Sequence, residues 1–143
     1  MGDLVIKLAS FSLEMKAIRK VVFQEEQGVE ENLEFDGKDE ICDHLIAYLD
    51  EKAVGTARIR YLSPKTAKIE RLAVLSFVRG QGIGKKIMEY ALVITASKDV
   101  LDVVINAQEY VKGLYQQLGF VESGEIFLEA GIPHVKMIKR FQN

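Results

Sequence analysis

Three glycines alternate with other residues in the segment Arg79-Gly80-Gln81-Gly82-Ile83-Gly84, which we call the glycine turn. An apolar run from Ala67 to Leu75 predicts a strand before it, and apolar residues at helical spacing from Ile83 to Ile94 predict a helix after it. Glycine permits left-handed backbone angles, so neighbouring N–H groups can converge on an anion at the start of a helix. The turn therefore predicts an α/β fold, in which it either binds a phosphate group or only connects a strand to a helix.

Two common phosphate-binding motifs do not fit the glycine turn. A nucleoside triphosphate loop needs glycine where this chain has Arg79, and Ser or Thr where it has Lys86. The dinucleotide pattern G-x-G-x-x-G fails as well, because Lys85 or Ile87 stands at its last position. The chain is thus expected to use neither motif.

The remaining patterns predict a mixed sheet with helices on its faces, in the order β-α-β-β-β-α-β-α-β-β. Predicted strands cover residues 4–9, 44–50, 53–62, 67–75, 101–107, 120–121 and 133–141. A first helix is capped by Ser12 and ends near Gly28, and a short helix covers residues 108–118. Because no linker or repeat interrupts this order, we expect residues 1–143 to form a single domain.

Charge is distributed unevenly along the chain. The net charge is −2, yet residues 25–43, the acidic segment, contain nine acidic residues and only Lys38 as a basic one. The rest of the chain therefore carries 18 basic and 12 acidic residues, from totals of 19 and 21. A net negative charge argues against a nucleic-acid partner. A run of acidic residues is most often a solvated loop, and the segment is predicted to be a loop with a short helical turn.

Cysteine and histidine content limits other classes of site. Cys42 is the only cysteine and there are two histidines, so no metal site is expected. No run approaches the roughly 20 apolar residues that span a bilayer, and the first residues lack the features of a signal peptide. We expect a cytoplasmic protein without a membrane partner.

Several motifs together resemble the GNAT (GCN5-related N-acetyltransferase) superfamily. The glycine turn is similar to the superfamily motif R/Q-x-x-G-x-G/A, and Leu114-Tyr115-Gln116-Gln117-Leu118-Gly119-Phe120 is similar to F/L-Y-x-x-x-G-F. The strand Ile69–Val74 also matches the family. Three further segments resemble the ElaA/YjcF-like subgroup: Val22–Val29, Asn106-Ala107-Gln108 and Gly131-Ile132-Pro133-His134.

The resemblance implies an acyl-CoA-dependent N-acyltransferase with a splayed sheet. It implies that acetyl-CoA donates an acetyl group to a primary amine of a small molecule or peptide, which attacks the thioester directly. Backbone groups of Leu72, Ala73 and Val74 would bind the pantetheine and the thioester. The pyrophosphate would bind backbone N–H groups of the glycine turn: Arg79, Gly80, Gln81, Gly82, Ile83 and Gly84. The neighbouring Lys85 would add positive charge.

Four further positions carry candidate roles, Tyr115 and Gln108 by the same resemblance and Glu70 by its place on the strand before the glycine turn. Tyr115 would donate a hydrogen bond to the departing thiolate, or is only a half-buried aromatic side chain. Glu70 would take a proton from the amine through water, or pairs with a surface cation. Gln108 stands where many family members carry Asn against the cofactor, and its extra methylene changes that contact. Asn106 is a further cofactor candidate or is only structural.

The acceptor is expected to be a cationic amine. In the resembled fold the first helix and the loop after it line the acceptor side, where the acidic segment would attract ammonium groups. The candidate acceptor-binding residues are Glu26, Glu34, Asp36 and His134, and His134 is alternatively a structural residue beside Pro133.

Two other functions compete with acyl transfer. The first is a non-catalytic acyl-CoA-binding module on the same fold, because fold alone does not establish function. The second is a hydrolase, for which the chain has no G-x-S-x-G motif and offers only Cys42 and His44 on one strand face. The oligomeric state is left open between monomer and homodimer.

Overall fold

The computed structural model describes residues 2–141, which form a mixed sheet of eight strands flanked by helices. The strands are β1 (Leu4–Ala9), β2 (Asp43–Leu49), β3 (Lys52–Ser63), β4 (Thr66–Val74), β5 (Asp102–Gln108), β6 (Val121–Glu122), β7 (Phe127–Glu129) and β8 (Ile132–Arg140). The α-helices are α1 (Leu13–Arg19), α2 (Glu31–Glu34), α3 (Ile83–Ser97) and α4 (Lys112–Gln117). The strand order is β1-β2-β3-β4-β5-β8-β6, with β7 also paired to β8. The predicted fold class is confirmed.

Helix α3 packs on one face of the sheet. Its buried side chains recur at helical spacing and include Ile83, Ile87 and Ala91, which belong to the main apolar core together with residues of the central strands. It joins β4 to β5, the one parallel pair among the paired strands of residues 2–141. This crossover places the start of α3 beside the end of β4.

Helix α1 packs on the opposite face. Its start is capped by Ser12, whose Oγ accepts a hydrogen bond from the Met15 N–H at 3.3 Å. Ile18 and Val22 bury against Ala73, whereas the neighbouring Leu72 and Val74 pack with the core that includes α3. The helix continues beyond α1 as a π-helical segment, Lys20–Glu26.

The largest differences from the sequence prediction lie outside the central strands. β7 was not predicted, because three residues between polar turns show no clear period. The acidic segment contains α2, which matches the short helical turn predicted there, and in addition a 3₁₀ turn at Asp39–Ile41. Within residues 2–141, none of the helices combines the length and the apolar character that crossing a membrane requires.

Candidate active site

A gap opens between β4 and β5. The two strands pair only at their beginnings, where Thr66, Ala67 and Lys68 face residues 102–104. On the other edge of β4, Thr56 pairs with Ala73 and Arg58 with Glu70, so β4 carries one extra residue there. This extra residue forms a β-bulge in β4, and the bulge includes Arg71, which has a left-handed φ of 57°. The β5-facing edge of Leu72, Ala73 and Val74 is thus outside the sheet pairing and borders the gap.

The glycine turn lies directly after β4. Gly80 and Gly82 have φ angles of 83° and 79°, a region that side-chain-bearing residues rarely occupy. Gly82 is the N-cap residue of α3 and offers no side chain to cap it. The N–H groups of the first helical turn therefore lack acceptors within the helix and are available to an anion. Ile83 itself is buried, so only its backbone can contribute.

Arg79 links the glycine turn to the first helix. Its Nε donates to the Val74 carbonyl at 2.9 Å, and its Nη1 lies 2.8 Å from a carboxylate oxygen of Glu26. Glu26, predicted to bind the acceptor, thus has a cationic partner at the cofactor end of the gap. Both side chains are partly exposed, so this ion pair exchanges readily with solvent.

Gln27 reaches the other side of the gap. Its Oε1 accepts a hydrogen bond from Gln108 Nε2 at 3.0 Å, at the last residue of β5. Glu26 thus contacts the end of β4 only through Arg79, whereas Gln27 contacts the last residue of β5 directly. Gln27 was not among the predicted site residues. The one feature of the sequence that could have indicated Gln27 is its place in Val22–Val29, a segment that resembles the ElaA/YjcF-like subgroup.

Tyr115 lies on α4 and is half-buried. Its ring meets Phe120 edge to face, with centroids 6.1 Å apart. Burial, with a smaller effect of Tyr110, raises the pKa of Tyr115 to about 12. Its hydroxyl has no hydrogen-bond partner among residues 2–141, so it remains a protonated donor that a ligand can engage.

Glu70 belongs to a buried group of charges that we call the ion-pair cluster. Its carboxylate lies 2.7 Å from Arg58, 2.8 Å from Arg60 and 3.3 Å from Lys68. Burial opposes its ionisation, but these cations prevail and lower the pKa of Glu70 to about 2. A carboxylate of that pKa is a weak base, which argues against the predicted role of Glu70 as proton acceptor.

The ion-pair cluster also includes two of the predicted acceptor-binding residues. Glu34 is 2% exposed and lies 2.6 Å from Nε of Arg19. Asp36 lies 2.7 Å from Arg58, and hydrogen bonds from Arg58 and the Lys38 backbone outweigh burial and lower its pKa. These contacts give both side chains partners within the protein, so neither is a free ligand for an amine.

His134 lies on β8, opposite Gln108 of β5. Its Nδ1 is 2.7 Å from the Ile132 carbonyl, and its Nε2 is 3.5 Å from Glu129 Oε2. Asn106 Nδ2 donates to the other oxygen of Glu129 at 3.2 Å. His134 thus contacts β7 and not the acidic segment that it was predicted to face.

Cys42 and His44 do not support a hydrolase. The Cys42 thiol donates to the Lys38 carbonyl at 3.2 Å, and His44 Nε2 lies 2.7 Å from the Asp39 carbonyl. Each group is thus engaged with backbone, and burial raises the pKa of the Cys42 thiol. Among residues 2–141, no group of three or more His, Cys, Asp and Glu side chains is arranged to hold a metal ion.

Comparison with known proteins gives clear relatives. The model of the acetyltransferase (GNAT) domain matches residues 13–141. YyaT of Bacillus subtilis is 41% identical over 125 residues, covering 85% of this chain and 84% of that protein. The N-acetyltransferase YjcF of Bacillus subtilis is 35% identical, covering 85% and 87%.

Solved structures show the same fold. An acyl-CoA N-acyltransferase from Pseudomonas aeruginosa is 31% identical with a TM-score of 0.81, covering 96% of this chain and 98% of that one. Escherichia coli ElaA is 25% identical with a TM-score of 0.83, covering 96% and 99%. A GNAT acetyltransferase from Elizabethkingia anophelis with acetyl-CoA bound shares the fold at 16% identity and a TM-score of 0.77, covering 96% and 98%. The family match and these relatives establish that the chain belongs to the GNAT acetyltransferase family.

Proposed function

We propose that the protein transfers an acetyl group from acetyl-CoA to a primary amine of a small molecule or peptide. The observation that carries this proposal is the gap between β4 and β5, which opens beside the start of α3, where the first N–H groups lack acceptors within the helix. The pantetheine of acetyl-CoA is an extended chain with peptide-like amides, which can hydrogen-bond to an unpaired strand edge. The pyrophosphate of acetyl-CoA can bind at the start of a helix. The acetyl-CoA seen in the Elizabethkingia protein supports the same donor.

The cofactor contacts follow the order of residues along the chain. Leu72, Ala73 and Val74 offer backbone groups to the pantetheine, and the glycine turn with Lys85 receives the pyrophosphate. Arg79 exchanges its contact with Glu26 for the phosphates, since a charged phosphate is a stronger partner than an exposed carboxylate. Gln108 and Asn106 border the gap from β5.

The reaction is a direct transfer. The neutral amine nitrogen attacks the thioester carbonyl carbon, a C–N bond forms and the C–S bond breaks. The nitrogen loses a proton to solvent, and the electron pair of the C–S bond stays on the CoA sulfur, which later takes a proton from solvent. Tyr115 hydrogen-bonds the departing thiolate. A phenol with a pKa of about 12 holds its proton more strongly than a thiol does, so it stabilises the thiolate without full proton transfer.

The acceptor is a cationic amine. Because Glu34 and Asp36 have arginine partners, attraction comes from acidic side chains that are exposed and form no ion pair within residues 2–141: Glu25, Glu30, Glu31 and Glu40. Exposed charges raise the local concentration of cations but are screened by salt.

The test of this proposal measures the release of CoA from acetyl-CoA in the presence of each amine of a panel. A diamine should be acetylated faster than an amino acid of similar length at low salt, and the difference should shrink at high salt. Equal or better use of the anionic acceptor would contradict the proposed acceptor class. Acetyl-CoA binding without CoA release for any amine would favour a binding module instead.

Replacing Tyr115 by Phe should reduce kcat about 100-fold, because the ring stays and only the hydroxyl donor is lost. Acetyl-CoA binding should change little. Tyr110→Phe is the matched control, because Tyr110 is 75% exposed just before α4. Single-turnover kinetics make the chemical step visible, and an unchanged rate there would remove Tyr115 from the mechanism.

A further inference from the structure

The side chain of Arg79 folds back against the end of β4. Its Nε donates to the Val74 carbonyl at 2.9 Å. The next N–H along the chain, that of Leu75, bonds to the Val54 carbonyl of β3 at 2.9 Å, and in a trans peptide the C=O and the N–H point in opposite directions. The Val74 carbonyl therefore points away from β3 and toward the gap. Arg79 thus occupies an acceptor on the strand edge that the pantetheine would use.

Glu26 holds Arg79 in this position. Its two carboxylate oxygens lie 2.8 Å from Nη1 and 3.0 Å from Nη2, so the ion pair is bidentate. The next residue, Gln27, is hydrogen-bonded to Gln108 at the end of β5, which anchors the segment that carries Glu26. We call the three groups, Arg79, Glu26 and the Val74 carbonyl, the latch.

The latch is weak enough to open. Both charged side chains are partly exposed, with 43% for Arg79 and 31% for Glu26. An exposed ion pair changes an equilibrium by a factor of up to about five. The latch can therefore bias the binding of a donor without preventing it.

Donors with and without phosphates differ in what they offer Arg79. Any pantetheine thioester that bonds the Val74 carbonyl must displace Nε, so the guanidinium has to move. The pyrophosphate of acetyl-CoA would bind at the glycine turn, which begins at Arg79 itself, and would give the guanidinium a new charged partner. A thioester without phosphates gives it none. Opening the latch is therefore compensated only for a donor that carries phosphate.

We propose that Arg79 is a specificity-determining residue for the donor, because Glu26 holds it as a latch on the β4 edge that phosphate-bearing thioesters open; this rests on the proposed acetyl-CoA site. The closed latch weakens the binding of every donor by the same factor. Only the phosphates recover this loss, through their contact with Arg79. The protein therefore selects acetyl-CoA over acetyl-pantetheine by two opposite effects of one side chain.

The first experiment titrates acetyl-pantetheine into the protein and follows binding by NMR chemical shifts. This donor carries no charge, so a change of charge at residue 26 or 79 affects it chiefly through the latch. Its Kd should fall about threefold in Glu26→Gln and roughly threefold to tenfold in Arg79→Ala, where the contact with Val74 is lost as well. Adding Glu26→Gln to Arg79→Ala should bring no further gain. Absence of a gain in both single variants would overturn the latch.

The second experiment measures acetyl-CoA binding by calorimetry. Arg79→Ala should weaken it about tenfold, opposite in sign to the effect on acetyl-pantetheine, because the phosphates lose a charged partner. Lys85→Met is the matched control, because it also removes a positive charge at the glycine turn, and Lys85 forms no ion pair with Glu26 within residues 2–141. It should weaken acetyl-CoA and leave acetyl-pantetheine unchanged.

The remaining outcomes separate the latch from the proposed function. Weaker binding of both donors in Arg79→Ala would mean that Arg79 only supports the site, and the latch would be wrong. Tighter binding of acetyl-pantetheine in Lys85→Met would overturn the latch as well. If the wild type binds acetyl-CoA but acetylates no amine, the proposed transfer fails, while the two titrations still decide the latch.

Discussion

Gly82→Val is expected to abolish the stabilisation of the protein by acetyl-CoA. A ligand at about 100 times its Kd stabilises the folded state by about 2.7 kcal/mol, which corresponds to a rise in Tm of roughly 10 °C for a domain of this size. Gly82 sets the entry to α3 with a φ of 79°, and a β-branched residue strongly disfavours that region. The turn must therefore change shape, and its N–H groups no longer converge on the pyrophosphate.

A matched control separates this effect from simple backbone strain. Gly124 has a φ of 96° in the turn between β6 and β7, and a Cβ added at either glycine meets no atom within 4 Å. Both valine variants should therefore lose stability by about 1–2 kcal/mol without clashes in the free protein. Only Gly82→Val should lose the thermal shift with acetyl-CoA. Calorimetry that finds wild-type affinity in Gly82→Val would disprove the assignment of the glycine turn.

The sequence was sufficient to predict the strand before the glycine turn and the helix after it. The strand is indicated by its apolar residues, and the helix is indicated because Ile83, Ile87 and Ala91 repeat with the period of a helix. The acidic segment was predicted to contain a short helical turn, and α2 is such a turn. These features depend on residues that are near one another in the chain, which is why local patterns predict them.

Contacts between distant residues were harder to predict. Glu34 and Asp36 were interpreted as ligands for a substrate because the segment around them contains one cation, Lys38. Their partners, Arg19 and Arg58, lie on the first helix and on β3, 15 and 22 residues away. No periodic pattern reveals such pairs. An arginine in a predicted central strand was the one available signal, because a buried guanidinium needs a carboxylate.

The gap between β4 and β5 was predicted only through the family resemblance. Its cause in the structure is the end of pairing after Lys68 together with the extra residue near Arg71. Neither feature has a signature in side-chain hydrophobicity, because Leu72 and Val74 still alternate with Ala73 as in a regular strand. Composition and periodicity alone would have predicted a continuous sheet.

Arg58→Met is expected to destabilise the fold by about 3–5 kcal/mol and to lower Tm by roughly 10–20 °C. The Arg58 side chain is 1% exposed and contacts three carboxylates, those of Asp36, Asp39 and Glu70. Methionine fills similar space but leaves these charges without their shared cation. Arg140→Met is the matched control, because its side chain is 73% exposed and its pair with Asp102 should contribute at most about 0.5 kcal/mol.

The pH dependence of the same variant distinguishes lost charge pairing from lost packing. In the wild type the pKa of Glu70 is lowered to about 2, and hydrogen bonds and charge from arginines outweigh burial to lower that of Asp39 as well. Such carboxylates contribute stability that is fully present above their unfolded pKa, near 4, and is lost as pH falls toward the folded value. Without Arg58 the carboxylates lose much of this contribution, so the difference in free energy of unfolding between wild type and variant should shrink as pH falls from 6 to about 3. Urea unfolding across this range provides the measurement. A difference that stays constant with pH would mean that Arg58 stabilises the protein by packing and not by pairing with the carboxylates.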